Sequence, residues 1–142
     1  MHLKDIRAVV TGGVSGLGFA VARHLVAHGA RVALFDINDD KGAAAVAELG
    51  AANALYLRTD VTDEANVEAN IAAAADFLGG LNAAINCAGI LGAGRMLGKE
   101  APMPLKQFAG TVMVNLVAAS TSPRLPPSSC STTKPVSTAS AA

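Results

Sequence analysis

The sequence predicts an α/β fold in which a parallel sheet is covered by helices on both faces. Short apolar runs alternate with segments whose apolar residues recur at helical spacing, and this alternation is typical of parallel strands joined by right-handed helical crossovers. A glycine-rich turn follows the first apolar run, and an aspartate ends the second. These observations favour a doubly wound sheet of about four strands with a ligand site at its carboxyl edge.

The predicted elements alternate along the chain. The strands are expected at residues 7–11, 31–36, 54–58 and 81–86. The helices are expected from Leu17 to His28, over 40–49, from a cap at Thr62 to Leu78, and over 104–119. Glycines follow the first and third helices where helix ends are expected. The last helix carries one apolar face, made of Leu105, Phe108, Val112 and Leu116.

Residues 1–119 are predicted to form one dinucleotide-binding domain of the Rossmann-like kind. Such domains usually have about six or more strands in two halves, so these residues supply little more than the first half. Residues 120–142 are dominated by Ser, Thr, Pro and Ala, a composition that predicts a disordered tail. The abrupt change near Ser120 suggests a truncated relative with a shifted reading frame, which the coding DNA tests.

Composition disfavours several classes of function. Eleven basic residues balance eleven acidic ones, so no charge excess favours nucleic acid or an anionic membrane. No apolar run approaches the roughly 20 residues of a membrane span. The N-terminus resembles no targeting peptide, and the cysteines Cys87 and Cys130 match no metal spacing. A cytoplasmic protein is expected, with the mitochondrial matrix as the alternative.

The glycine turn is the first candidate binding element. It reads Thr11-Gly12-Gly13-Val14-Ser15-Gly16-Leu17-Gly18, which is not the G-x-G-x-x-G spacing. Backbone N–H groups at the start of the following helix are unpaired and attract a phosphate, and glycines let the ligand approach. A purely structural turn also needs glycine, but the strand before and the helix after favour a dinucleotide.

Asp36 ends the second strand and is the candidate ribose ligand. A carboxylate there accepts hydrogen bonds from the ribose hydroxyls and repels a 2′-phosphate, so NAD is predicted rather than NADP. No arginine follows Asp36 directly, and this absence also argues against NADP. The alternative is a helix cap or a solvated turn acid, a role that Asp39 or Asp40 could fill instead.

Two further loops end at the same edge of the sheet. Asp60-Val61 follow the third strand and are predicted to face the adenine, with a turn-forming aspartate as a nearly equal alternative for Asp60. Asn86-Cys87-Ala88-Gly89 follow the fourth strand. Asn86 is expected to tie neighbouring strands, Ala88 and Gly89 to let the backbone approach the cofactor, and Cys87 to be a small buried thiol. No metal site is predicted, because His2, His24 and His28 show no ligand spacing.

These residues together resemble the short-chain dehydrogenase/reductase family. The resemblance is carried by Thr11-Gly12-x-x-x-Gly16-x-Gly18, Asp36, Asp60-Val61, Asn86-x-Ala88-Gly89 and Asn115. The longer stretches Thr-Gly-Gly-Val-Ser-Gly-Leu-Gly and Asn-Cys-Ala-Gly-Ile are similar to the type II 3-hydroxyacyl-CoA dehydrogenases, also called 17β-hydroxysteroid dehydrogenases of type 10. The resemblance covers residues 1 to 117.

The resemblance implies an NAD-dependent oxidoreductase that acts on a CH–OH group of a 3-hydroxyacyl-CoA-like substrate. It places Ser15 and Leu17 at the pyrophosphate and nicotinamide side of NAD, and Asp36 at the ribose. It places Asp60, Val61 and Cys87 at the adenine region. Asn115 matches the asparagine that holds a water in the proton relay of the family.

The chain departs from the family at the catalytic pair. The family uses a tyrosine as general acid/base and a lysine four residues later, which lowers the pKa of the phenol. The single tyrosine, Tyr56, is followed at that spacing by Asp60, which is expected to raise its pKa instead. Residues 1–142 are therefore expected to bind NAD without catalysis. The alternative is a non-enzymatic NAD- or partner-binding module that associates with itself or with full-length relatives.

Overall fold

The computed structural model describes residues 2–92 and 103–118, which form a four-stranded parallel sheet with helices on both faces. The strands are β1 (Arg7–Thr11), β2 (Arg31–Asp36), β3 (Ala54–Arg58) and β4 (Ala83–Asn86). Their spatial order is β3-β2-β1-β4, so the chain moves outward from β1 to β3 and then returns to pair β4 with the other side of β1. This reversal creates a crevice at the carboxyl edge, between the loops after β1 and β4.

The described residues also contain four α-helices. They are α1 (Gly16–Ala27), α2 (Asp39–Leu49), α3 (Glu64–Leu78) and α4 (Leu105–Val112). A 3-10 turn, Leu3–Asp5, precedes β1, and α4 continues into a π-helical turn, Met113–Val117. The first three helices connect consecutive strands, so every crossover leads from the carboxyl end of one parallel strand to the start of the next.

Two apolar clusters, one on each face of the sheet, attach the helices to the strands. The first joins alternate strand residues to α1 and α2 and includes Ala8, Val10, Val32, Leu34, Ala22, Leu25, Ala45 and Leu49. The second joins the remaining strand residues to α3 and includes Val9, Ala33, Phe35, Val67, Ile71, Ala74 and Leu78. Burial of each larger apolar side chain contributes roughly 1.5–3 kcal/mol, so this two-sided burial fixes the sheet edge that carries the loops.

The predicted α/β fold is confirmed, and β1, β2 and β3 have the predicted bounds. The prediction that the fourth strand begins at residue 81 is wrong by two residues, because Asn82 interrupts the ladder. The Asn82 side-chain oxygen accepts the backbone N–H of Arg7 at 2.8 Å, and its backbone N–H donates to the Arg7 carbonyl at 3.1 Å. Leu81 is buried in the α3 cluster.

The predicted cap of α3 is also wrong, because Asp63 rather than Thr62 occupies the N-cap position. The Asp63 carboxylate accepts the backbone N–H of Asn66 at 3.1 Å. The Thr62 hydroxyl instead donates to Asp60 at 2.7 Å. A carboxylate at this position satisfies an open N–H and lies at the positive end of the helix dipole.

The helix predicted over 104–119 is found as α4 together with the π-helical turn that continues it to Val117. Among the described residues, nothing covers its apolar face. α4 ends at Val112, where the backbone widens into the π-helical turn. Leu105, Phe108 and Leu116 are 79%, 49% and 69% exposed. An amphipathic pattern identifies the apolar side of a helix but not whether another element packs on it.

The domain boundary predicted at residue 119 and the tail predicted over 120–142 lie outside the described residues. Within the described residues, every helix is too short or too polar to traverse a lipid bilayer.

Candidate functional site

The glycine turn between β1 and α1 brings two loops into backbone contact. Gly12 has a φ of +63°, and a Cβ atom there would lie 2.9 Å from the Cα atom of Ala88, in the loop after β4. A Cβ atom on Gly18 would collide with the Gly12 carbonyl oxygen. Side chains are therefore excluded from both positions, by the left-handed backbone at Gly12 and by close packing at both.

The first turn of α1 presents its backbone N–H groups to the crevice. Ser15 is the N-cap residue, but its side chain makes no capping hydrogen bond, and no acidic residue occupies the first turn. The intrahelical ladder begins with Phe19 N–H donating to the Ser15 carbonyl at 3.1 Å. The N–H groups of Gly16, Leu17 and Gly18 precede it, where helices carry partial positive charge. This end of the helix can hold an anionic group.

Asp36 lies at the carboxyl end of β2, as predicted. Its Oδ1 atom accepts the backbone N–H groups of Ile37 at 2.8 Å and Asn38 at 3.2 Å. The Asp36 carboxylate is thereby held in one orientation at the start of the β2–α2 turn. Its second oxygen makes no hydrogen bond within the described part of the chain and is available to a ligand hydroxyl.

The cap of α2 differs from the prediction. Asn38 is the N-cap residue, and its side-chain oxygen accepts the backbone N–H of Lys41 at 2.9 Å. Asp39 and Asp40 lie one and two positions later, in the first helical turn. The suggestion that either acid caps the helix in place of Asp36 is wrong, although Asp36 is indeed not the cap.

Asp60 forms the turn that is the alternative to adenine binding at this position. Its Oδ1 atom accepts both the hydroxyl and the backbone N–H of Thr62, at 2.7 and 2.9 Å. These two hydrogen bonds lower the pKa of the Asp60 carboxyl below its ordinary value. The adjacent Val61 lines the cleft described below, so the turn places an apolar side chain beside a fixed carboxylate.

The Thr11 side chain ties the loop after β4 to β1. The buried Thr11 hydroxyl oxygen accepts the backbone N–H groups of Cys87 and Ala88, each at 3.2 Å. The glycine motif includes Thr11 but does not by itself predict a role for its side chain. A threonine at the last position of a strand, beside a glycine turn, is the signal that points to it.

Asn115 connects the π-helical turn to the same loop. Its side-chain oxygen accepts the Ile90 N–H at 2.8 Å, and its side-chain nitrogen donates to the Ile90 carbonyl at 2.9 Å. The amide thus pairs with both backbone groups of one residue, as a neighbouring strand does. Ile90 was not identified from the sequence, because nothing in a local pattern reports a contact between residues this far apart.

Six of the predicted site residues line one cleft of about 240 Å³ at the carboxyl edge. Its walls come from the loops after all four strands and from the helix that carries Asn115. The lining residues are Ser15, Phe35, Asp36, Ile37, Thr59, Asp60, Val61, Ala88, Gly89, Ile90 and Val114. Asn86 and Asn115 line a smaller cavity of about 110 Å³, which shares Val61, Ala88 and Val114 with the cleft.

Some predicted residues frame the cleft without lining it. Gly12, Gly16 and Gly18 form the turn beside it, and the Leu17 side chain is 74% exposed. Cys87 is half-buried with a free thiol. Among residues 2–92 and 103–118, no three His, Cys, Asp or Glu side chains are grouped as metal ligands.

Tyr56 lies on β3, with its hydroxyl 3.0 Å from the Asp36 carbonyl and 2.9 Å from the Asp39 carboxylate. Burial, and then Asp39 and Asp36, raise the pKa of Tyr56 to about 12. The expected direction is correct, but the expected cause is wrong, because Asp60 does not contribute. A phenol with this pKa retains its proton at neutral pH and acts as a hydrogen-bond donor.

A family model described as short chain dehydrogenase matches residues 7–124. Among curated proteins, 3-hydroxyacyl-CoA dehydrogenase type-2 from Homo sapiens is 38% identical over 117 residues, which is 81% of this chain and 44% of that protein. Momilactone A synthase from Oryza sativa subsp. japonica is 47% identical over 85 residues, covering 60% of this chain and 31% of that protein.

A 2,5-dichloro-2,5-cyclohexadiene-1,4-diol dehydrogenase from Sphingobium indicum is 43% identical over 108 residues, covering 76% of this chain and 42% of that protein. The chain therefore spans less than half the length of these relatives. Among solved structures, a dehydrogenase/reductase from Sinorhizobium meliloti 1021 matches with a TM-score of 0.73 and 33% identity, over 81% of this chain and 45% of that one.

Proposed function

Because the short chain dehydrogenase model matches residues 7–124, the chain belongs to this family, and we propose that its cleft binds NAD. Members of the family usually bind nicotinamide cofactors. The observation that carries the proposal is the convergence, at one sheet edge, of a helix N-terminus for phosphate, a carboxylate for ribose and an apolar wall for adenine. These are the three recognition elements that a dinucleotide needs.

The proposed pose follows the order of the loops around the cleft. The N–H groups of Gly16, Leu17 and Gly18 would bind the pyrophosphate, with Ser15 beside them. The second oxygen of Asp36 would accept a ribose hydroxyl, and Val61 would pack on the adenine. Gly12, Cys87, Ala88 and Gly89 would let the backbone approach the cofactor, and Asn86 would tie neighbouring strands. Asn115 and Asp60 hold the surrounding loops.

The preference for NAD over NADP is assigned to Asp36. Its carboxylate lies where the 2′-phosphate of NADP would be placed, and two anionic groups in close contact repel each other. The hydrogen bonds from Ile37 and Asn38 fix the carboxylate there, so it cannot easily turn away from a phosphate.

We further propose that residues 1–142 do not catalyse hydride transfer by themselves. NAD, when bound, supplies the hydride acceptor, but a general base must remove the proton from the alcohol. The sequence contains no Tyr-x-x-x-Lys, and the Tyr56 hydroxyl donates to the turn after β2 with its pKa raised rather than lowered. Asn115 is then a remnant of the proton relay, and its side chain holds the Ile90 backbone.

The substrate class of a complete protein of this kind is proposed to be a secondary alcohol, with a 3-hydroxyacyl-CoA as the leading candidate. The support is the similarity to 3-hydroxyacyl-CoA dehydrogenase type-2 over 81% of the chain. The comparably similar relatives are named for other alcohols and lactones. Since these relatives of different names each match between 60% and 81% of this chain, we assign the shared part to cofactor binding.

Calorimetric titration of the purified chain with NAD tests the proposal. Asp36→Ala is expected to weaken binding on the order of tenfold or more, because a charge-assisted hydrogen bond to ribose is lost. Asp40→Ala removes an equal charge from the next helix and should bind normally. Absence of binding by the unaltered chain refutes the cofactor site. Reduction of NAD by the chain with a 3-hydroxyacyl-CoA, above a control without protein, refutes the proposed inactivity.

The second candidate function is a partner-binding module, either with a second copy of the chain or with a full-length relative. It is favoured by the exposed apolar face of α4, where Leu105, Phe108 and Leu116 project into solvent. Size-exclusion chromatography with and without NAD discriminates: an apolar interface predicts a dimer or a mixed complex that Phe108→Ser weakens. A monomer alone and in the presence of a relative would exclude this candidate.

A further inference from the structure

An arginine lies directly beside the proposed ribose site. In the β2–β3 register, Arg58 is the cross-strand partner of Asp36. Cross-strand partners in a parallel sheet lie about 4.8 Å apart and share a face, so the guanidinium originates one strand away from the carboxylate. Yet Arg58 does not pair with Asp36. Its Nη1 atom donates to the Asp39 carboxylate at 2.9 Å and to the Ile37 carbonyl at 2.8 Å.

Asp39 is itself held at both of its oxygens. Oδ2 accepts from Arg58, and Oδ1 accepts the Tyr56 hydroxyl at 2.9 Å. Tyr56 is also within hydrogen-bond distance of the Asp36 carbonyl. Two side chains of β3, those of Tyr56 and Arg58, therefore hold Asp39 against that strand. The pair with Arg58 is exposed, and an isolated exposed pair contributes little. The Asp39–Arg58 pair is held in place from both sides, because the Tyr56 hydroxyl donates to Asp39 and the Ile37 carbonyl accepts from Arg58.

Guanidinium groups recognise phosphate well, because their planar N–H donors match two phosphate oxygens at once. A dinucleotide carrying a 2′-phosphate would place that group near Asp36, and therefore near Arg58. The repulsion by Asp36 could be offset by this arginine if the arginine were not already engaged. The Ile37 carbonyl accepts one of its hydrogen bonds, and the carboxylate of Asp39 is the charged group that engages it.

We propose that Asp39 is a specificity-determining residue, which withholds Arg58 from a 2′-phosphate and so reinforces the preference of the site for NAD. The inference rests on the proposed NAD site and assigns part of its selectivity to a residue outside the cleft. Asp36 repels the 2′-phosphate directly. Asp39 acts through Arg58, by occupying the donor that would otherwise bind the phosphate.

The test compares two probes that differ only at the 2′ position, 5′-AMP and adenosine 2′,5′-bisphosphate. Their dissociation constants are measured by calorimetry for the unaltered chain, Asp39→Asn, Asp40→Asn and the double variant Asp39→Asn with Arg58→Gln. Asp40→Asn is the matched control, because it removes the same charge from the next residue, and Asp40 is not the partner of Arg58 in the described structure.

Asp39→Asn is expected to improve binding of the bisphosphate relative to 5′-AMP by about tenfold, the scale of one charge-assisted hydrogen bond. Asp40→Asn should change the ratio by no more than about twofold, through long-range charge alone. Adding Arg58→Gln should return the ratio to that of the unaltered chain. Equal shifts for the two aspartate variants, or a shift that survives Arg58→Gln, would overturn the proposal.

Arg58→Gln alone gives a second test of the proposal in case Asp39→Asn does not fold. If Asp39 withholds the arginine, this variant leaves the ratio of the unaltered chain unchanged. Weaker bisphosphate binding would mean that Arg58 already reaches the phosphate, and would contradict the proposal. An unaltered chain that binds neither probe overturns the NAD site together with this inference. Binding of 5′-AMP with an unchanged ratio in Asp39→Asn overturns the inference alone.

Discussion

Thr11 connects two loops of the candidate site with a single oxygen atom. The hydroxyl is buried and accepts the N–H groups of Cys87 and Ala88. Its removal takes this acceptor from the Ala88 N–H, whereas the Cys87 N–H keeps the Thr11 backbone carbonyl at 3.1 Å. Thr11→Val keeps the shape of the side chain, and we expect it to lower the free energy of unfolding by about 1–3 kcal/mol. Urea denaturation measures this. Thr11→Ser retains the acceptor and should lose less. Equal stability of the Val variant and the unaltered chain would show that the oxygen is dispensable.

The pKa of the Tyr56 phenol can be measured directly by titration. The chain has one tyrosine and no tryptophan, so absorbance of the phenolate reports this group alone. In the folded protein the midpoint should lie at about 12, against the ordinary value of 10.0. A raised pKa favours the neutral form, so its contribution to stability is complete below pH 10 and is lost as the pH rises through 12.

Asp39→Asn tests the stated cause of this shift. Asp39 raises the pKa of Tyr56 both by accepting its proton in a hydrogen bond and by its charge, so the variant should titrate at lower pH. Asp60→Asn should leave the midpoint in place. The reverse order of effects would show that the structural assignment of the cause is incorrect.

Among the elements, α3 offers a clean test of helix capping. The Asp63 carboxylate accepts the Asn66 N–H, and loss of such a cap lowers stability by about 1 kcal/mol. We expect this loss in the urea denaturation of Asp63→Ala. Asp63→Asn keeps the acceptor and should be close to the unaltered chain. If Asp63→Ala is as stable as the unaltered chain, the Asp63 carboxylate does not stabilise α3 as a cap.

Strands were predictable from the sequence because their residues are buried on both faces. A parallel strand between two helical layers reads as a continuous apolar run, which is why 7–11, 31–36 and 54–58 are found at their predicted bounds. The start of β4 was not predictable, since Asn82 replaces a backbone hydrogen bond with one from its side chain. No propensity or periodicity reports such a substitution.

The residues of the candidate site were also predictable only in part. Gly12, Asp36 and Val61 were predictable because each stands at the end of a strand, where loops of a parallel sheet converge. The pairing of Asn115 with Ile90 and of Asp39 with Arg58 was not, because these contacts join residues 25 and 19 positions apart. Their geometry depends on the packed sheet and not on a local pattern.

At the scale of the whole molecule, the cofactor should be part of what keeps the fold together. A ligand that binds only the folded state stabilises it by about 2.7 kcal/mol at a concentration 100 times its dissociation constant. We expect NAD to raise the free energy of unfolding of the chain by this amount in urea denaturation. The gain should largely disappear in Asp36→Ala at the same NAD concentration. A midpoint that does not respond to NAD would count against the site.

The central claim is that the backbone amides at the start of α1 hold the pyrophosphate of NAD. Amide NMR spectra recorded during a titration test it most directly, because each N–H group reports its own environment. Saturating NAD should shift the signals of Gly16, Leu17 and Gly18 strongly, and leave those of Gly79 and Gly80, at the opposite edge of the sheet, unchanged. If the three amides of α1 do not respond to saturating NAD, the claim is contradicted.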